Sequence, residues 1–190
     1  CAEVAAGTRA STVFEISAEG WEKTTYTVED LGVESLYQLQ DDMYYISQEA
    51  RNALYTKVVD VHTILSTMLN DLPFDFYWFD KTSGWNAFFD CEWYEDYITV
   101  SSITFTFIVS EAYADPADSD RLTVNTEIGQ TVAAASANAK AIVAEHADEN
   151  NRDKLTSYLY AICDLVAYNY DALGDDVAYG SPWQLLWVFD

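Results

Sequence analysis

The sequence predicts an α+β fold in which helices pack on a small antiparallel sheet. Three observations lead to this prediction: apolar residues recur every three or four positions in several segments, one segment alternates apolar and polar residues, and glycine or proline separates the segments. Half of the 190 residues are hydrophobic and 15% are aromatic, a composition typical of folded rather than disordered chains. This length is sufficient for one domain with its own core.

The first 33 residues are predicted to form a flexible lead or an extended arm. Their start is small and polar, and the scattered apolar positions in residues 13–27 are compatible with a weak strand. Gly20 and Gly32 interrupt this segment. The chain begins at Cys1, which makes this residue a candidate for a lipid anchor of a processed surface protein.

Residues 34–121 are predicted to contain helices followed by an aromatic β-hairpin. Two apolar sets have the spacing of one helix face, at residues 36–50 and 54–69. We expect a break between them near Ser47, a favourable N-cap, and an end at Pro73. The first set consists of Leu36, Leu39, Met43, Ile46 and Ala50. His62, beside the second set, is expected to be a surface or partly buried histidine rather than a base.

The clearest strand in the sequence is predicted within residues 97–109. Ile103, Phe105 and Phe107 alternate with polar residues, which is the pattern of a half-buried strand. Residues 88–93 are expected to pair with it across a turn at residues 94–96. The many aromatic residues between Phe74 and Trp93 form either a substrate-facing wall or, as we favour, part of the core.

Residues 122–190 are predicted to begin with two helices, at residues 127–146 and 155–166. Asn150 and Asp153 resemble a capping box at the start of the second helix. Cys163 lies among its apolar residues and is expected to be buried. Both a Cys91–Cys163 disulfide and two free thiols are compatible with the sequence, because it does not fix the distance between the two cysteines.

The chain is strongly acidic, with 32 acidic and 9 basic residues and a formal net charge of −23. Phosphate binding requires clusters of Lys and Arg, so we expect neither a nucleic-acid partner nor an anionic membrane surface. No segment is long enough to be a transmembrane helix. Asp115, Asp118 and Asp120 alternate in a loop and are weak Ca²⁺ candidates, since the glycine and final Glu of an EF-hand loop are missing. The alternative is a solvated acidic loop.

The C-terminal stretch carries a family resemblance. A helix ending in ICDLVAYN, an acidic loop and then SPWQLLWVFD resemble the segment that precedes the catalytic cysteine in bacterial secreted transglutaminase-like proteins, which belong with the papain-like thiol enzymes. A weaker likeness reaches LPFDFYWFDKTSG. The resemblance implies that residues 122–190 are the N-terminal part of a transglutaminase-like domain, ending just before its catalytic motif, in an extracellular or cell-surface protein.

The same resemblance implies a type of chemistry. The family uses a thiol nucleophile, assisted by His and Asp, for acyl transfer or hydrolysis at a glutamine carboxamide or peptide carbonyl of a protein substrate. That order of Cys, His and Asp is absent here, so we assign no catalytic residue and expect this chain alone to be inactive. Trp183 and Gln184 are candidate neighbours of an oxyanion or acyl pocket, unless they belong to a buried core segment.

A second class of function is a non-catalytic module. An acidic surface suits a binding or self-associating domain, with Ca²⁺ dependence as one variant. The chain has no GxGxxG, P-loop, GxSxG or HExxH motif that would indicate another enzyme class. No cofactor other than this weak Ca²⁺ candidate is expected.

Overall fold

The computed structural model describes residues 1–166 and 186–189 and is organised around a four-stranded antiparallel sheet. The strands are β1 (Val13–Ser17), β2 (Thr25–Tyr26), β3 (Tyr37–Gln40), β4 (Met43–Ile46), β5 (Trp85–Tyr94) and β6 (Tyr97–Phe107). The central strand is β6, with β1 and β2 paired to successive parts of one edge and β5 to the other. A separate hairpin consists of β3 and β4.

Helices of very different lengths accompany the sheet, so the predicted α+β class is confirmed. They are α1 (Ala2–Ala5), α2 (Val28–Leu31), α3 (Gln48–Ala53), α4 (Val61–Asp71), α5 (Thr126–Glu145), α6 (Asn151–Leu165) and α7 (Leu186–Phe189). A π-helical turn, Leu54–Val58, follows α3, and a 3-10 turn, Pro73–Asp75, follows α4. Within the described ranges, no helix combines the length and the apolar character needed to cross a membrane.

Two helix starts were predicted correctly because caps are local, whereas the predicted helix of residues 54–69 is interrupted at Val59, and Asp60 caps α4. The Ser47 hydroxyl accepts a hydrogen bond from the Ala50 amide at 3.1 Å and begins α3, as expected. The Asn150 side chain accepts from the amides of Arg152 and Asp153 and begins α6. Each cap needs only residues within one turn, so nearby sequence is sufficient to specify it.

The first expected helix is wrong, because residues 37–46 form the β3–β4 hairpin. Asp41 and Asp42 connect the strands with φ angles of +50° and +60°. Asp is among the few residue types that adopt the left-handed conformation at low cost, and two such residues form a tight hairpin turn. Leu39 and Met43, expected on a buried helix face, are 61% and 56% exposed.

The aromatic hairpin is confirmed, with Tyr94 paired to Tyr97 at its tip. The register shifts between Asp90, opposite Ser102, and the next β5 residue, opposite Val100, so that Ser101 is an extra residue in β6. This bulge moves the buried positions of β6 from even to odd numbers along the chain. The alternation of Ile103, Phe105 and Phe107 that predicted the strand therefore applies to the part after the bulge, and the part before it alternates with the opposite parity.

The core is rich in aromatic rings. Phe76, Trp78 and Phe79 are buried, and each ring lies within 6.2 Å of the ring centroid of Phe107. The core interpretation of the aromatic segment therefore holds for these residues, whereas Phe88 on β5 is 64% exposed. Buried aromatic rings of this kind contribute large apolar areas to a core.

The expected N-terminal arm contributes to both the sheet and the core. Residues 13–17 and 25–26 pair with β6, and Val4 in α1 is fully buried. Cys1 is half-buried and packs against the core cluster. The lipid anchor at Cys1 stays a prediction.

Cys163 corrects another expectation. It is exposed, since no residue in the described length of α6 is buried. The sequence placed Cys163 among apolar neighbours, but the helix exposes several of them, including Leu155 at 71% and Leu159 at 59%. All three cysteines are unpaired thiols, so the structure contains no Cys91–Cys163 disulfide.

The loop before β5 is held by the carboxylate of Asp80. Oδ2 accepts from the Ser83 hydroxyl at 2.6 Å and from Arg121 Nη1 at 3.1 Å, and Oδ1 accepts from the Thr82 hydroxyl at 2.6 Å. The hydrogen bonds from Ser83 and then Thr82 hold the pKa of Asp80 well below its usual range. The ionised carboxylate thus fixes the turn that leads into β5.

We expect Asp80→Asn to lower the melting temperature near neutral pH. Because the folded-state pKa is depressed, Asp80 stabilises the fold above the unfolded pKa of roughly 4, and this contribution is lost as the pH falls through the folded pKa. The difference in melting temperature between wild type and variant should therefore shrink as the pH falls below roughly 4. Calorimetry at several pH values above and below the unfolded pKa of roughly 4 measures this difference in melting temperature. A difference that is independent of pH would contradict the role of the charge.

Candidate functional site

A groove of about 900 Å³ lies between β5 and the segment that runs from β4 to the start of α4. Its volume is in the range of ligand-binding clefts. Tyr45 and Ile46 of β4 form one end, and α3, the π-helical turn and the first turn of α4 form one wall. The opposite side is formed by every residue from Trp85 to Cys91 of β5. Because successive strand side chains point to opposite faces, a groove that touches consecutive residues runs along the strand edge.

Tyr55 of the π-helical turn reaches this edge. Its hydroxyl donates to the Ala87 carbonyl oxygen at 2.7 Å, and its ring lies 5.1 Å from the ring of Phe89. Burial raises the pKa of Tyr55, which keeps the hydroxyl protonated as a donor at neutral pH. π-helical turns are frequent at functional sites because they redirect a side chain within a helix.

The hydrogen bond from Tyr55 also shows which backbone groups of β5 face the groove. The Ala87 carbonyl points away from β6, and outward and inward residues alternate along an antiparallel strand. The backbone groups of Trp85 and Phe89 therefore point outward too, whereas those of Asn86 and Phe88 bond to β6. Among the described residues, only Tyr55 makes a hydrogen bond to these outward groups.

The edge formed by β1 is protected in a different way. It is only five residues long, and Arg9 donates from Nη2 to the Val13 carbonyl at 2.7 Å. The Ser11 hydroxyl accepts from the Val13 amide at 3.2 Å. Short length and side-chain covering are common means of blocking an edge strand. The ten-residue β5 edge has much less of this protection.

The groove carries charges of both signs on opposite sides. The positive charge is that of Arg51 on the helical side. On the same side, the His62 ring meets the ring of Trp85 edge-on at 5.7 Å. Asp90 and Glu92 lie on β5 and are exposed. Within residues 1–166 and 186–189, neither carboxylate takes part in a salt bridge. His62 is exposed, as expected for a surface histidine.

Cys91 lies in the groove but lacks the features of a catalytic thiol. Burial, and then the nearby charge of Asp90, raise the pKa of its thiol to about 11. The thiol is therefore protonated at neutral pH and is a weak nucleophile. In the part of the chain that the structure describes, no hydrogen bond joins a cysteine to a histidine.

The second histidine, His146, belongs to a structural network. Its Nδ1 lies 2.9 Å from Glu149 Oε1, and the Ser157 hydroxyl donates to Glu149 Oε2 at 2.8 Å. The carboxylate lies between histidine and serine, so the imidazole is not placed to take the proton of Ser157 as it would in a Ser-His-Asp triad. These bonds instead connect the end of α5 to α6.

Two of the three aspartates that were Ca²⁺ candidates, Asp115 and Asp118, use their carboxylates for hydrogen bonds within the loop. Asp115 Oδ1 accepts from the Ala117 amide at 2.9 Å, and Asp118 Oδ2 accepts from the Thr123 hydroxyl at 2.7 Å. The other oxygen of Asp118 accepts from the amide of Asp120 at 3.0 Å. Among the described residues, no group of three His, Cys, Asp or Glu side chains is arranged to hold a metal ion.

The remaining site candidates, Trp183 and Gln184, lie outside the described residues. The chain matches no protein-family model, and searches of curated proteins and of solved structures find no significant similarity. The transglutaminase-like assignment therefore stays a prediction.

The groove itself was not predicted from the sequence. Tyr55 lies within the predicted helix of residues 54–69 but was not among its apolar positions, and nothing local shows that its hydroxyl meets a carbonyl 32 residues away. One available signal was the β5 sequence: it is rich in aromatic residues and has no Pro or Lys, the residues that commonly protect edge strands.

Proposed function

We propose that this chain is a non-catalytic binding module whose groove takes an extended polypeptide segment as an added strand on β5. The observation that carries the proposal is the line of outward backbone groups at Trp85, Ala87 and Phe89 along the groove. Strand addition uses such groups for affinity and the adjoining pockets for side-chain selection.

The shape of the site favours a polypeptide over a compact ligand. Outward backbone groups recur at every second residue, about 7 Å apart, which is the repeat of another strand. The rings of Trp85 and Phe89, with the small side chain of Ala87 between them, offer apolar contacts on one face of the same strand. A small apolar molecule would use the rings but leave the backbone groups without partners.

Tyr55 competes with such a strand. Its hydroxyl occupies the Ala87 carbonyl, an acceptor that the incoming backbone would use. The tyrosine therefore protects the edge when the groove is empty and moves aside when a strand enters. This role explains why a hydroxyl is placed at the open edge of the sheet.

The test is amide hydrogen exchange, followed by NMR, with and without a short capped peptide of alternating threonine and valine. We expect the amides of Ala87 and Phe89 to become protected when the peptide is added, because they gain partners. The amides of Asn86 and Phe88 already bond to β6 and should be protected in both states. Protection that is unchanged at Ala87 and Phe89 would contradict strand addition.

Tyr55→Phe is the matched variant, because it removes only the competing hydroxyl. A neutral hydrogen bond contributes about 0.5–1.5 kcal/mol, so the variant should bind the peptide about two- to tenfold more tightly. A second peptide with proline at its centre lacks one backbone donor and should bind more weakly to both proteins. Equal binding of the two peptides would favour a groove for side chains or small apolar ligands.

The thiol-enzyme hypothesis remains the alternative proposal, supported by the C-terminal sequence likeness alone. The raised pKa of Cys91 gives it no support in the groove. Its implied protein substrate and its location at a bacterial cell surface are likewise predictions.

A further inference from the structure

We infer that the segment bound on β5 is an amphipathic strand in which basic residues alternate with apolar ones. This inference rests on the proposed strand addition and names the chemistry of its partner. The observations that carry it are the different faces of β5 and the charges on each of them.

One face of β5 is apolar. Trp85, Ala87 and Phe89 point towards the helical wall, where the rings of Tyr55 and His62 lie against them. A strand added beside β5 shares its two faces, because the pleat continues across the sheet. Every second residue of the bound segment would therefore meet this aromatic wall, where large apolar side chains fit best.

The other face of β5 carries Asn86 and the exposed Phe88, followed by two carboxylates. Asp90 and Glu92 are two residues apart, so they point to the same side of the sheet, and both are exposed. Neither belongs to a salt bridge within the described part of the chain. Opposite charges on neighbouring strands stabilise a pair, and like charges destabilise it. Lysine or arginine side chains on this face of the bound segment would complement both carboxylates.

The net charge of the whole chain also favours a basic partner. A formal net charge of −23 attracts a basic segment and repels an acidic one before contact. Arg51 lies on the helical side of the groove, away from the face that carries Asp90 and Glu92. It would therefore oppose basic residues on the apolar side of the segment, which favours basic residues on one side only.

The experiment compares three short capped peptides by fluorescence anisotropy, in which valine alternates with lysine, threonine or glutamate. We expect the lysine peptide to bind about three- to tenfold more tightly than the threonine peptide, and the glutamate peptide to bind most weakly. The preference should decrease as salt is added. An equal affinity for lysine and glutamate peptides would overturn the inference.

The matched variants are the double substitutions Asp90→Lys/Glu92→Lys and Glu15→Lys/Glu19→Lys. Both change the net charge equally, but Glu15 lies on β1, on the opposite edge of the sheet, and Glu19 lies just beyond it. The first should reverse the preference for lysine over glutamate, and the second should retain it. If both variants weaken the preference equally, only the overall charge acts and the inference is overturned.

The outcomes separate this inference from the proposed function. Binding of the threonine peptide with protection of the Ala87 amide, but without a charge preference, would support strand addition and reject the basic partner. Absence of binding by all three peptides, with no change in exchange, would reject both.

Discussion

Phe107→Ala is expected to cost about 3–5 kcal/mol of unfolding free energy, the range for truncating a buried aromatic residue. Phe107 is 1% exposed and lies at the centre of the aromatic cluster, with ring centroids of Phe76 and Phe79 each 5.6 Å away. Truncation would leave a cavity that these rigid rings cannot fill. The loss is a large part of the about 5–15 kcal/mol typical of a whole domain. Urea denaturation followed by tryptophan fluorescence measures it.

Phe88→Ala is the control for this prediction. Phe88 lies on the neighbouring strand opposite Thr104, but its side chain is 64% exposed. Its truncation should therefore change stability by less than about 1 kcal/mol. If Phe107→Ala does not fold, Phe107→Leu provides a smaller perturbation and should still cost more than Phe88→Ala. Equal costs at the two positions would contradict the described core.

Gly129→Ala is expected to destabilise the protein by about 1–3 kcal/mol, although alanine normally favours a helix over glycine. Gly129 is buried in α5, which packs against α1 and the turn after it. A Cβ atom at this position would lie 2.7 Å from the Gly7 Cα and 2.9 Å from the Gly7 nitrogen. These are backbone atoms, so relief requires α1 and α5 to separate.

Ala137→Gly on the same helix is the matched control, because Ala137 is exposed and the substitution changes helix propensity without a close contact. It should cost about 1 kcal/mol. If residue 129 were an ordinary helix position, alanine would stabilise the protein by a similar amount. A close approach of the two backbones therefore predicts a loss of stability, whereas helix propensity alone predicts a gain. An increase in melting temperature for Gly129→Ala would show that the two backbones do not approach closely.

The features determined by local sequence were predicted correctly. Ser47 and Asn150 cap their helices with bonds that span two or three residues, and β5 and β6 meet across a short turn. Their strands carry aromatic and β-branched residues that pack well on a pleated surface. Such features depend on nearest neighbours along the chain, so the sequence contains most of the information that specifies them.

Errors arose where apolar spacing alone was used to choose a structure. Leu39 and Met43 have the spacing of one helix face, but Asp41 and Asp42 form a turn. The two apolar residues lie on opposite faces of the hairpin, paired with Tyr44 and Gln40. Cys163 also has apolar neighbours, yet its burial depends on what packs against α6. In both cases, periodicity identified apolar residues without identifying their contacts.

By itself, the sequence determined the α+β class, the central hairpin, the helix caps and the strongly acidic surface. Only the tertiary structure decided that Tyr55 meets the Ala87 carbonyl, that Gly129 of α5 meets Gly7 in the turn after α1, and that β5 has no strand paired to its outer edge among the described residues. The physical reason is separation along the chain. These contacts join residues 32 and 122 positions apart, and their geometry follows from how the sheet and helices pack rather than from any local preference.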